Sequence, residues 1–353
     1  MSAQQPETIM GWDVGGAHLK ASRLDAAGRL SGVYQEPCAL WKGLPHLFAA
    51  LDAVLGREQL RQPVAHAITM TGEMVDVFGN RREGVRSLVD VMAQRLGSRR
   101  VGFYAGAAGW LRASEVKSRP DAAASFNWHA SAGALAQRMD CALFVDIGST
   151  TTDLVPIVGG RVAARGLRDS DRLALGELVY SGVVRTPLMA LARCAPVAGR
   201  NIPLMAELFA TTADVYRVLG WLPDAVDQHD TADGAPKTVN ASRQRLARMV
   251  GCDAHDQPEA VWDALAAWFG DIQLDILEQA AREVMERSDM PEAAPLVAAG
   301  VGDFVAERLA HRLGRQVWPY AAALGISGSA DAHWASWCAP AVAVALLYRE
   351  HAS

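Results

Sequence analysis

The chain lacks most of the features by which a sequence declares a compartment or a metal. Its five cysteines, Cys38, Cys141, Cys194, Cys252 and Cys338, contain no CxxC pair. That argues against a disulfide framework or zinc site and for reduced thiols in a cytoplasmic protein. None of the nine histidines, His18 and His333 included, falls in an HxxxH or HExxH spacing, which discounts a zinc centre. No apolar run reaches the roughly 18 residues a membrane span needs. The opening MSAQQPETIM has no basic start leading into an apolar stretch, so neither a membrane nor a secretory signal is expected. Basic runs are also missing and the net charge is −5, which speaks against nucleic acid as a partner. What remains is an ordinary globular composition, 50% hydrophobic and 21% charged over 353 residues, long enough for two domains.

One short pattern occurs twice. Residues 9–20 read IMGWDVGGAHLK and residues 143–154 read LFVDIGSTTTDL. Each is an apolar strand ending in Asp, one β-branched residue and a small-residue turn. When Asp13 is aligned with Asp146, Lys20 and Asp153 fall at the same offset on the following arm. A strand that stops in small residues turns backbone N–H groups toward an anion, and the aspartate beside it suits a divalent cation. The anion contacts expected are Gly15, Gly16 and Lys20 in the first copy and Gly148, Ser149, Thr150, Thr151 and Thr152 in the second, with Asp13 and Asp146 as metal ligands. Two such loops suggest two similar halves closing on one polyanionic ligand. The bland reading of either loop alone is an Asp-initiated turn.

Periodicity predicts strands at 8–14, 17–24 and 30–35, a helix over 45–55, a strand at 65–70, a helix over 85–96 and a strand at 101–104. A small-residue helix over 125–139 then leads into the second copy, with strands at 142–147, 152–158 and 161–165 and a Gly159-Gly160 hairpin turn. Residues 173–192 read as a helix interrupted by Pro187, and 193–257 as an irregular insertion with short helices. The stripe Val261, Leu265, Trp268, Ile272, Ile276, Ala280, Val284 marks a long helix over 258–287. A strand at 296–299, a Gly300-Val301-Gly302 turn, a helix over 304–313, a strand near 316–320 and a helix over 339–348 follow. The division implied is 1–139, closed by the terminal helix 334–353, and 140–333.

A hairpin-plus-strand unit followed by helices, repeated once, resembles the actin-like ATPase fold, an α/β fold of the ribonuclease H-like type with two similar lobes around a central cleft. The match runs from about residue 8 to residue 350, with 13–20 and 146–153 at the two phosphate loops and 299–304 at the nucleoside-side glycine turn. A narrower resemblance is carried by GWDVGGAHLK, TGEMVDVFGNRREGV, FNWHASA, VDIGSTTTDLVPI and GLRDSDRLALGELVYSGVVRTPL. These strings are similar to the hydantoinase/oxoprolinase-related branch, and within it to proteins of methanopterin-linked one-carbon metabolism, including methylofuran biosynthesis. The chain is much shorter than true hydantoinases and oxoprolinases, so most of their machinery has no counterpart here.

The resemblance implies an alkyl transfer. An aminomethyl-furanylmethyl group leaves its diphosphate and joins the phenol oxygen of γ-glutamyltyramine or a tyrosine-type equivalent, forming an aryl ether and releasing pyrophosphate. It implies Mg²⁺ at the diphosphate, small-molecule substrates and a possible homodimer. The phenol proton needs an acceptor, and Glu73, Asp76, Asp153, Asp169 and Asp171 are the acids placed for it, Glu73 by analogy with the acceptor loop of sugar kinases. Substrate contacts expected are Arg81, Asn127, Arg168, Asp171, Gly300, Gly302 and Asp303. Each has a duller reading: exposed arginines, a self-paired loop at 168–172, cap and packing residues at Asn127 and His129, and glycines that merely allow tight packing. Two other functions stay open, an ATP-dependent kinase or hydantoinase/oxoprolinase-like hydrolase, and a nucleotide-switched scaffold.

Overall fold

The computed structural model describes residues 7–58, 64–97, 100–326 and 331–352. The start of the opening segment searched for a signal lies outside them. Contact clustering divides the chain into two units: Met1–Cys141 with Ile157–Ala163 and Pro319–Ser353, and Ala142–Pro156 with Ala164–Trp318.

The first unit is built on a six-stranded sheet. Its elements are β1 (Thr8–Val14), β2 (His18–Leu24), β3 (Leu30–Pro37), α1 (Leu44–Glu58), β4 (Val64–Met70), α2 (Arg81–Leu96), β5 (Val101–Tyr104), β6 (Trp110–Leu111), α3 (Ala113–Ser118) and α4 (Asn127–Ala136). The strand order is β3-β2-β1-β4-β5-β6, with β1, β4 and β5 parallel and both outer segments antiparallel. Side chains alternate across the sheet with period two. Met10, Trp12, Val14, Ile68 and Met70 enter one core with residues of α1 and α2. Ile9, Leu24, Ala65 and Ala67 enter another with α4 and the late helix over 339–352. The second face is lined by small residues because that helix lies almost on the backbone: a Cβ on Gly11 would overlap the carbonyl of Ala341.

The second unit contains β7 (Ala142–Ile147), β8 (Thr152–Val158), β9 (Arg161–Val162), α5 (Asp169–Ala174), β10 (Leu178–Val179), the hairpin β11 (Cys194–Val197) and β12 (Arg200–Pro203), α6 (Thr212–Val218), α7 (Val239–Arg248), α8 (Glu259–Arg287), β13 (Leu296–Ala299) and α9 (Asp303–Arg312). β9 and the end of β8 cluster with the first unit. The chain then runs through β14 (Val317–Pro319), α10 (Tyr320–Ala323) and α11 (Ala332–Trp337) into α12 (Ala339–Ala352). The second sheet has the order β10-β8-β7-β13-β14, with β9 on β8 and β7 parallel to β13.

Three expectations need correction. Residues 173–192 are not one helix: α5 stops at Ala174, β10 follows, and 181–187 is a loop that bends at 183–185. Gly176 adopts φ +67 and Gly182 leaves no room for a side chain, so helical spacing of apolar residues is outvoted by backbone demands. The buried stripe of α8 runs through Trp262, Ala266, Phe269, Gln273, Leu277 and Ala281, with Leu265 and Val284; the stripe expected from spacing is centred beside it, because the apolar face is wider than one row. Strand 161–165 is only two residues long. The aspartate-rich insertion is also better ordered than its composition suggests. Asp214 accepts from buried Arg245 (2.8 Å) and Ser242 (2.8 Å), while Asp233 pairs with Arg245 and Arg248 at 3.1 Å. Among the described residues no helix is long and apolar enough to cross a membrane.

Candidate functional site

In the first unit the parallel strands β1 and β4 end at the same edge, and their exit loops pack on each other. Gly15 N–H donates to the carbonyl of His18 (3.0 Å), and Thr71 N–H to that of Val14 (3.0 Å). A Cβ on Gly72 would lie 3.1 Å from the Gly15 carbonyl carbon and oxygen, and one on Gly16 2.9 Å from Val75. Leu40 N–H donates to Gly16 O (3.0 Å) and Cys38 N–H to Ala17 O (2.8 Å), so the turn is held from both sides. In register, Asp13 is flanked by Lys20 on β2 and Thr69 on β4. These three share the face that carries Ile9, Gly11, Ala65 and Ala67, one residue pair beyond the point where Ala341 covers Gly11. The row thus begins where the small-residue cover ends, and Asp13 is only 4% exposed.

Glu73, from the β4 exit loop, is fully buried. Its Oε1 accepts from the Ser125 hydroxyl (2.7 Å) and from Arg81 Nε (3.3 Å), while Arg81 Nη2 donates to Ser125 Oγ at 2.6 Å. Two residues picked from the sequence for different roles, an acid and an arginine, therefore belong to one cluster. Ser125, which joins them, was missed. It stands at φ +53, a left-handed conformation rare for a non-glycine residue, two positions before Asn127, the first residue of α4. A polar residue inside an apparent helix start gives no signal of that conformation. Asp76 lies on the same loop as Glu73 but is exposed. Arg82 is drawn off to Asp121 on the surface.

In the second unit the 148–151 turn repeats the device with other partners. Gly148 N–H donates to Thr151 O (2.8 Å). The Gly300-Val301-Gly302 turn lies directly on the end of β7: Gly302 N–H donates to Ile147 O (2.8 Å), and a Cβ on Gly300 (φ +80) would overlap Asp146 Oδ1 and Ile147 O. Asp146 is 6% exposed. Asp303 opens α9, its Oδ1 accepting from Phe304 N–H at 2.8 Å. These three sequence-derived elements, the aspartate, the small-residue turn and the glycine pair, are thus brought into contact.

Other positions in this unit serve the framework. The Thr152 hydroxyl is buried and donates to Ser181 O (2.7 Å), so it braces the neighbouring loop and does not face an anion. Asp153 accepts from Arg172 Nη1 at 2.7 Å, and Arg172 is 1% exposed; this acid is held by a buried cation that also donates to Glu177 O. Arg168, Asp169 and Asp171 sit at the start of α5, with Arg168 and Asp171 exposed. Among the described residues no group of three or more His, Cys, Asp or Glu side chains is arranged to hold a metal ion.

Comparison with known proteins gives the chain its relatives. The family model described as hydantoinase/oxoprolinase matches residues 65–351. The chain is 31% identical over 248 residues to the (4-{4-[2-(gamma-L-glutamylamino)ethyl]phenoxymethyl}furan-2-yl)methanamine synthase of Methanocaldococcus jannaschii, covering 69% of this chain and 72% of that protein. It is 30% identical over 161 residues to the synthase of the same name from Methanococcus vannielii, covering 46% and 71%. Among solved structures, nucleotide-free acetone carboxylase superposes with a TM-score of 0.62 at 11% identity, over 96% of this chain and 70% of that one. The last likeness concerns the fold alone, and the fold is the actin-like α/β fold expected from the repeated motif.

Proposed function

This chain belongs to the hydantoinase/oxoprolinase family, and we propose that it is an enzyme of methylofuran biosynthesis that makes a furanylmethyl aryl ether and releases pyrophosphate. The observation that carries this reading is its likeness, over 69% of its length, to a synthase whose named product holds a phenoxymethyl link to a furan. Building that link joins a phenol oxygen to a furanylmethyl carbon. The carbon–oxygen bond to the diphosphate breaks and its electron pair leaves with the diphosphate. The phenol oxygen supplies the pair for the new bond, and its proton goes to a carboxylate. The electron-rich furan spreads positive charge from the reacting carbon, so departure runs ahead of attack.

The heaviest demand is then electrostatic, because negative charge accumulates on the departing group. Donors for it are offered within each unit: the N–H groups of residues 149–151 in the second, and the Gly16 N–H with Lys20 in the first, where the Gly15 N–H is already given to the His18 carbonyl. The buried carboxylate of Asp146 beside the Gly300 cradle fits a hard cation that takes few protein ligands and completes its shell from phosphate and water, and the buried Asp13 offers the same within its own unit. Mg²⁺ held by such an aspartate would supply positive charge to offset the negative charge growing on the leaving diphosphate. A phenol of ordinary pKa, about 10, is neutral at pH 7, so a base shortens the path. Glu73, fixed by Ser125 and Arg81, is the candidate base, since Asp153 is held by Arg172 and Asp76 is exposed.

A second reading, ATP-dependent phosphoryl transfer or ring hydrolysis, is favoured by the Gly300-Val301-Gly302 turn kept against Asp146. One experiment separates them. Purified protein with Mg²⁺ is given the furan diphosphate and γ-glutamyltyramine, or ATP with the same acceptor, and ether and pyrophosphate are measured by mass spectrometry. Ether and pyrophosphate in equal amounts without nucleotide, abolished by EDTA, are expected. ATP hydrolysis with no ether formed refutes the transferase reading.

A further inference from the structure

We infer that Arg185 is the anion-binding side chain of the second unit, placed to close its guanidinium on a diphosphate seated at residues 148–151. The inference rests on the diphosphate reading above and adds a residue to it. The segment 183–185 is laced to the loop by three successive amides: Val183 N–H donates to Gly148 O (3.1 Å), and Val184 and Arg185 N–H donate to Ser149 O at 3.0 and 2.8 Å. Gly182 permits that approach, since a Cβ there would stand 2.5 Å from the Ser149 carbonyl carbon and the Thr150 nitrogen. The Arg185 backbone is therefore fixed one hydrogen bond from Ser149, in the loop whose N–H groups are to receive the anion.

Behind the segment lies a buried polar splint. The Thr186 hydroxyl accepts from Gly182 N–H (2.8 Å), and the Thr212 hydroxyl donates to Gly182 O (2.8 Å). Gln273 Nε2 donates to Gly182 O (2.9 Å) and Ser181 Oγ (2.7 Å), and the Tyr216 hydroxyl donates to Gln273 Oε1. A glutamine on the buried stripe of α8 is a costly choice for packing alone, whereas a fully satisfied buried network fixes one geometry. Beyond that splint Arg185 is exposed. Its surroundings still exclude enough water that burial lowers the guanidinium pKa from its ordinary value. A cation so placed gains more from an arriving anion than one in bulk water, and a guanidinium fork matches phosphate oxygens two at a time.

The test uses the full chain and inorganic pyrophosphate with Mg²⁺, by titration calorimetry, on wild type, Arg185→Gln and Arg185→Lys. Loss of one charge-assisted contact should weaken binding by about 10–100-fold in the glutamine variant, with partial recovery in the lysine variant. The thermal midpoint and the KM for the phenolic acceptor should not move, whereas kcat/KM for the diphosphate substrate should fall with the affinity. A merely structural arginine would shift the midpoint. If wild type binds pyrophosphate and Arg185→Gln binds it equally well, the Arg185 assignment fails and the diphosphate reading stands. If wild type binds no pyrophosphate, both fall.

Discussion

The β1–β2 and β7–β8 turns are the same backbone device set in opposite electrostatic company. Each follows a buried aspartate at a strand end and opens on small residues. Yet Lys20 occupies the position in the first unit that Asp153 occupies in the second. Asp153 is taken by buried Arg172, so the second unit spends one cation inside its framework and carries another, Arg185, on the adjoining loop. The supports differ as well. The first turn leans on the β4 exit loop and the 38–40 segment, the second on a glycine pair and three amides from 183–185. Repeating a motif thus fixes where the backbone offers donors, while the charges are set by residues far away in sequence.

The largest effect should come from the captive pair. Arg172→Met strands a buried carboxylate, and about 3–5 kcal/mol of stability should be lost, whereas Lys20→Met, at a half-buried position, should cost only about 1 kcal/mol. Urea unfolding of the two variants makes the contrast measurable, and equal losses would erase the distinction drawn between the two positions. Next, Asp13→Asn and Asp146→Asn should each cut kcat/KM for pyrophosphate release about 100–1,000-fold with the fold intact, the size seen when one preorganised electrostatic group is removed. If only one of them matters, the turns are not functional equivalents.

A smaller effect separates the units by pH. His66, in β4, accepts from the Trp12 indole N–H (3.1 Å) and burial lowers its pKa to about 4. It stays neutral when folded, while the unfolded chain takes up a proton near pH 6.5. Its contribution is therefore complete above that pH and falls as the pH drops toward 4, by up to about 3 kcal/mol. Hydrogen exchange should show the first unit loosening before the second, and His66→Gln, which keeps an acceptor for Trp12, should flatten the dependence. Smallest is Ser125→Ala, about 1–2 kcal/mol for a lost buried bridge. If Glu73 is the base, kcat should drop by more than that stability change explains, and Ser125→Thr should restore part of it.

Sequence reasoning succeeded where local pattern and tertiary demand agree. Strands β1, β4, β7 and β13 are buried on both sides, so their apolar runs end abruptly at Asp, Thr or Gly and their edges are readable. It failed at 173–192, where apolar spacing spelled helix and only the Gly182 approach to Ser149 reveals a loop. The same blindness hid Ser125 and Arg185, whose roles depend on partners 52 and 36 positions away. Nor does a sequence show that Asp153 is already claimed. An acid near a phosphate loop looks available until the cation that holds it is seen.

The placement of α12 has a consequence for how the protein is made. The β1 surface at Gly11 is shaped to receive Ala341, yet the ribosome delivers that helix only after the whole second unit has emerged. At roughly 5–20 residues per second, the nascent first sheet spends on the order of ten seconds or more with an uncovered alanine-rich flank. Chaperone engagement, or a stalled and sticky intermediate, belongs to that interval, and a synonymous-codon change that lengthens it should lower soluble yield without altering the finished enzyme.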